Sequence, residues 1–159
     1  MKKSIILVAI LAIVSVGSVI AQPRAIGANI GYGIDLSYQH SLGEANMIDL
    51  SINVPFFEGI GATATYDWVN PFGAVIPWDY EGQWNWNLGV GAGLGIYGFK
   101  TPAFYAGVVG HVGISYDFWF PMQLSLDYRP NIGIVGGEGI TFNTSGLYSG
   151  ITLGVRYLF

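Results

Sequence analysis

The sequence contains no cysteine, little charge and, past its first twenty or so residues, no long apolar run. Each absence closes a class of function. Without cysteine there is no disulfide framework, no thiolate nucleophile and no lipidated amino-terminal cysteine. Charged residues make up 10% of 159 positions, where roughly 25% is usual for a soluble domain, so the chain lacks the groups to coat an ordinary water-facing surface. Beyond the amino terminus no stretch approaches the ~18 uninterrupted apolar residues of a membrane-spanning helix. The two histidines, His40 and His111, lie far apart without acidic neighbours at metal-ligand spacing, so neither a metal nor a cofactor is expected.

Residues 1–21 read as an export signal. Lys2 and Lys3 supply its charged start, Ile5 to Val16 its apolar middle, and Val19-Ile20-Ala21 a small-residue cleavage site before Gln22. The expected mature domain is 22–159. Its basic residues are then Arg24, Lys100, Arg129 and Arg156 against ten acids, a net charge of 4 − 10 = −6, which excludes nucleic acid as a partner.

What is present is apolar residue in period two. Apolar residues are 52% of the chain and aromatics 15%, and seven stretches alternate. In the first, Ile26, Ala28, Ile30, Tyr32, Ile34, Leu36 and Tyr38 interleave with Gly27, Asn29, Gly31, Gly33, Asp35, Ser37 and Gln39. The same rule runs through 48–54, 60–68, 83–98, 103–118, 122–129 and 150–159. Such alternation places one oily and one small or polar face on each strand. A soluble sheet would carry Lys, Glu and Arg on its wet face. Here that face is glycine, serine, asparagine and threonine, which suits the crowded lumen of a narrow barrel whose oily face meets lipid. The expected fold is all-β: a closed, antiparallel, up-and-down transmembrane barrel of eight strands, since hydrocarbon tolerates no unpaired sheet edge. Seven stretches leave one strand to find, and Phe72 to Tyr80 and Glu138 to Asn143 are the candidates.

Aromatics gather at the margins of the stretches, as Trp68, Trp78, Tyr80, Trp84, Trp86, the Tyr116 to Phe120 cluster, Tyr157 and Phe159. Amphipathic rings prefer the headgroup zone and form girdles around membrane barrels. The carboxyl-terminal "TLGVRYLF" matches the insertion signal of outer-membrane barrels at Thr152, Gly154, Tyr157 and Phe159. The whole mature region resembles the small eight-stranded outer-membrane barrel proteins, especially the Bacteroidetes-type beta-barrel-domain family. The segment "LSLDYRPNIGI" (124–134) and the closing "GVRYLF" resemble that family's last two strands. The resemblance implies a bacterial outer-membrane location among lipids and lipopolysaccharide and insertion by the barrel-assembly machinery. It supplies no catalytic residue.

Chemistry-bearing residues are few. A lipid A deacylase-like barrel would want histidine and serine two apart on one face, and neither His40-Ser41 nor His111 with Ser115 has that spacing. The glycine string 89–95 lacks the lysine and the following helix of a phosphate loop; its glycines make room for large neighbours such as Tyr97 and Tyr105, or else leave a narrow pore. A turn at Trp119 to Pro121 puts His111 opposite Arg129, with Asp127 diagonal and Arg156 adjoining. These four are the expected lumen cluster, compensating one another's buried charge. The expected role is non-catalytic, structural or exerted through loops 70–83 and 135–146.

Overall fold

The computed structural model describes residues 22–55, 59–73, 81–98, 101–136, 140–143 and 150–159. The expected export signal and all but two residues of the candidate strand Phe72 to Tyr80 lie outside them, as do parts of both expected recognition loops. Ten β segments follow in chain order: β1 (Gln22–Ile30), β2 (Gly33–Ser41), β3 (Asn46–Pro55), β4 (Gly59–Pro71), β5 (Gly82–Tyr97), β6 (Ala103–Phe118), β7 (Met122–Tyr128), β8 (Asn131–Gly136), β9 (Ile140–Asn143) and β10 (Ile151–Leu158).

They make eight ribbons. β7 and β8 both pair with β6 and form one ribbon, interrupted at Arg129-Pro130 because proline has no N–H for the ladder. The Pro130 carbonyl still accepts from Gly110 N at 2.7 Å. β9 pairs with β8 and β10 with β7, so these two share a partner ribbon and together are the eighth. The ring closes where β10 pairs with β1, from Ala25↔Leu158 to Ile30↔Leu153, every neighbour being antiparallel. Closure leaves the ring of described ribbons without an open edge between β1 and β10.

The missing strand lies inside the first stretch. β1 and β2 are a hairpin about Tyr32, with Ile30 opposite Ile34 and Gly31 to Gly33 between them. Both partners are even-numbered, so the alternation passes through the turn unbroken and reads as one long strand. Glu138 to Asn143 is no separate ribbon: its described part, β9, belongs to the last one.

Register also fixes the tilt. From Ala28 the outward partners run through Leu36, Ile52, Ala62, Leu94 and Ala106 to Ile134, and the other way through Val155 to Leu124. Leu124 and Ile134 share a ribbon ten residues apart, which is the stagger of the barrel. With usual strand rise and spacing, eight ribbons staggered this way tilt by about 40°. The start of β1, the end of β10, the turns at 42–45 and 119–121, the end of β4 and the start of β5 occupy one end, here the terminal end.

From β1 to β8 the odd positions face inward and the even ones outward; β10 alone inverts this, burying Gly154 and Arg156. The interior is polar. Among the described residues twenty polar or charged ones are buried, including Asn29, Asp35, Asp49, Asp67, His111, Arg129 and Arg156, against five buried apolar ones, Ala25, Met47, Val69, Tyr105 and Val109. Outside stand the large apolar side chains, such as Leu36, Ile52, Leu88, Val108, Leu126 and Leu153.

Candidate functional site

The inward face of β10 presents one guanidinium to the centre of the lumen. Arg156 is 1% exposed, and every side-chain nitrogen it carries has a partner. Nε donates to Ser37 Oγ (3.0 Å), Nη1 to Gln123 Oε1 (3.1 Å) and Ser125 Oγ (2.6 Å), and Nη2 to Asn29 Oδ1 and Asp127 Oδ2 (both 3.0 Å). These partners come from β1, β2 and β7, so one side chain ties the closing seam together. The planar, multi-donor fork of arginine suits such a role where lysine's point charge does not.

Asp127 has a second partner. His111 Nε2 lies 3.1 Å from its Oδ1, and His111 Nδ1 lies 2.7 Å from Asp67 Oδ1. The imidazole is thus held between carboxylates from β7 and β4. Asp67 also accepts from Thr65 Oγ1 (2.6 Å) and Asn87 Nδ2 (3.0 Å).

Arg129 crosses to the opposite wall. Its Nη2 is 3.1 Å from Asp49 Oδ1 and its Nη1 is 3.4 Å from Asp35 Oδ2. Asp49 is further held by Gln39 (3.1 Å) and Ser51 (2.9 Å), and Asp35 by Asn53. Asp49 links the two halves, with Arg156 Nη2 at 4.0 Å. Four carboxylates, two guanidiniums and an imidazole therefore form one connected web of ion pairs and hydrogen bonds. Buried charge persists only when paired and hydrogen-bonded in this way.

Of the four cluster residues expected from sequence, His111, Asp127 and Arg156 meet directly. Arg129 instead joins them through Asp49, although Val112↔Tyr128 and Asp117↔Gln123 keep the register that a Trp119 to Pro121 turn imposes. Sequence reasoning missed Asp35, Asp49 and Asp67. The signal was available: all three sit at odd positions, in phase with the polar face that also carries Asp127.

The residues expected to form an insertion signal divide between the faces. Gly154 is buried where a Cβ would strike Asn29 Oδ1 and Ser125 Oγ, so a side chain there would displace partners of Arg156. Thr152 is the register partner of Asp127. Tyr157 and Phe159 face outward and pack edge to face, with ring centroids 5.5 Å apart, and Phe159 N donates to Arg24 O at 3.1 Å.

Above this web, toward the end remote from the termini, the inner wall is glycine. Gly93, Gly107 and Gly133 are register partners across β5, β6 and β8. Tyr105 fills part of that space: a Cβ on Gly107 would strike its hydroxyl, and one on Gly133 would lie 2.6 Å from its ring. Its Oη donates to Asn131 Oδ1 at 2.7 Å. At the terminal end Arg24 reaches Asp117 at 3.5 Å from β1 to β6, beside a cup of about 630 Å³ bordered also by Gln83, Asn85 and Phe159. Among the described residues no group of three or more His, Cys, Asp or Glu has metal-binding geometry.

Compared with protein-family models, curated proteins and solved structures, the chain matches none.

Proposed function

We propose that the chain is an integral, non-catalytic barrel protein of a bacterial outer membrane, acting structurally or through its rim loops. The observation that carries this reading is sidedness. The outward wall is apolar on all eight ribbons, while the polar and charged side chains are sealed inside. Water on the outer wall would meet leucine, isoleucine and valine at more than twenty positions; hydrocarbon meets what it favours. The rings near the terminal end, including Trp68, Trp86, Trp119, Phe120, Tyr157 and Phe159, supply a girdle at one boundary.

Lipids and lipopolysaccharide are then the surroundings, and the barrel-assembly machinery inserts the chain through "TLGVRYLF". Kinship with the Bacteroidetes-type beta-barrel-domain family belongs to the same proposal and rests on "LSLDYRPNIGI" and "GVRYLF". A closed lumen follows from the web: eight-stranded barrels are filled by side chains, and here the filling is cross-linked by ion pairs. A deacylase-like role finds no support at His111, which is 0% exposed and engaged by Asp67 and Asp127 rather than by Ser115.

Flotation of the exported protein with vesicles, followed by electrophoresis with and without boiling, tests the proposal. It expects carbonate-resistant flotation and a mobility shift on boiling. A protein that stays in the aqueous fraction would refute it.

A further inference from the structure

The outer wall is not uniform. Leu50, Ala64 and Ala92 are register partners across β3, β4 and β5, and Ile52, Ala62 and Leu94 form the next row. Three alanines thus lie together among leucine and isoleucine. Their missing bulk leaves a slot of about 510 Å³ in the wall, bordered also by Leu36 and Tyr38.

Tyr38 brings a hydroxyl to the slot's edge, and His40 lies one register row beyond the slot. Tyr38 and His40 occupy successive outward positions of β2, are half-buried, and are joined by a hydrogen bond of 3.0 Å between Tyr38 Oη and His40 Nδ1. Because β2 runs toward the terminal end, His40 lies nearer the headgroup boundary than Tyr38 does. The remaining lining is almost wholly apolar and continuous with the wall assigned above to hydrocarbon. An apolar trough with hydrogen-bonding groups only at its boundary end matches an amphiphile, whose tail needs no partner and whose ester or phosphate does. A second barrel wall brought against the same trough would present side chains as apolar as its own and leave the Tyr38–His40 end unmatched.

We propose that this slot binds one acyl chain of a membrane lipid, with the lipid's ester and headgroup at Tyr38 and His40. The inference rests on the membrane reading above. The test reconstitutes the full chain with phosphatidylethanolamine vesicles, extracts it in mild detergent and weighs it by native mass spectrometry. One lipid retained per barrel is expected. Ala64→Phe fills the slot and should abolish that adduct, whereas Leu153→Phe, which enlarges an outward residue elsewhere on the wall, should keep it. Tyr38→Phe with His40→Ala should weaken retention without removing it. Equal lipid retention by Ala64→Phe and the parent overturns the proposal, as does a dimer that Ala64→Phe dissolves. A chain that enters vesicles yet retains no lipid defeats the slot alone; one that fails to enter them defeats the membrane reading as well.

Discussion

Arg156 and Tyr157 are neighbours in sequence, yet the first is 1% exposed and the second 54%. The inner face that Arg156 represents is specific. Each of its charged groups has named partners, on strands as distant in sequence as β1 and β10. The outer face that Tyr157 represents asks only for apolarity and, near its ends, rings. A hydrophobic face against lipid is satisfied by any oily residue, whereas a buried ion is satisfied by one geometry. Substitutions should therefore divide by face more sharply than by residue size.

The largest effect belongs inside. Arg156→Ala leaves Asp127 without its arginine and unties Ser37, Gln123 and Asn29; it should cost about 3–5 kcal/mol in urea unfolding from vesicles. Next comes an outer-face change that breaks the only rule of that face. Leu126→Arg, near the middle of the wall, should cost about 2–4 kcal/mol in vesicles and much less in a soluble setting. The third returns to the lumen: Gly154→Ala pushes a methyl into Asn29 Oδ1 and Ser125 Oγ and should cost about 1–3 kcal/mol by the same assay. The fourth is Tyr105→Phe, which leaves Asn131 Oδ1 without its donor and should cost about 1 kcal/mol. A Leu153→Met change on the outer face should sit below all four. If it rivalled Arg156→Ala, the contrast between the faces would collapse.

The same contrast explains what the sequence made legible. Sidedness and fold class were readable because alternation persists through β1 to β8 without a phase error, and the odd positions hold almost every polar group. That regularity concealed the first hairpin, since pairing Ile30 with Ile34 leaves three residues, Gly31 to Gly33, between the partners, and an odd number preserves parity. The cluster was legible in part. His111 and Asp127 follow from one hairpin's register, a local matter. Asp35 and Asp49 reach Arg129 across the lumen, with sequence separations of 94 and 80 residues. Curvature creates such contacts, and no pairwise register reports curvature. The slot of alanines was invisible for a similar reason: Ala62, Ala64 and Ala92 become neighbours only when β4 and β5 are aligned.

Because the chain has no cysteine of its own, single cysteines can carry a nitroxide along β7 without background, and the collision rates of that label test sidedness most directly. In vesicles, labels at Leu124 and Leu126 should collide freely with oxygen and hardly with a water-soluble nickel complex, while labels at Gln123 and Ser125 should collide with neither. Labels at Leu124 and Leu126 that meet the nickel complex, with Gln123 and Ser125 meeting oxygen instead, would contradict the account.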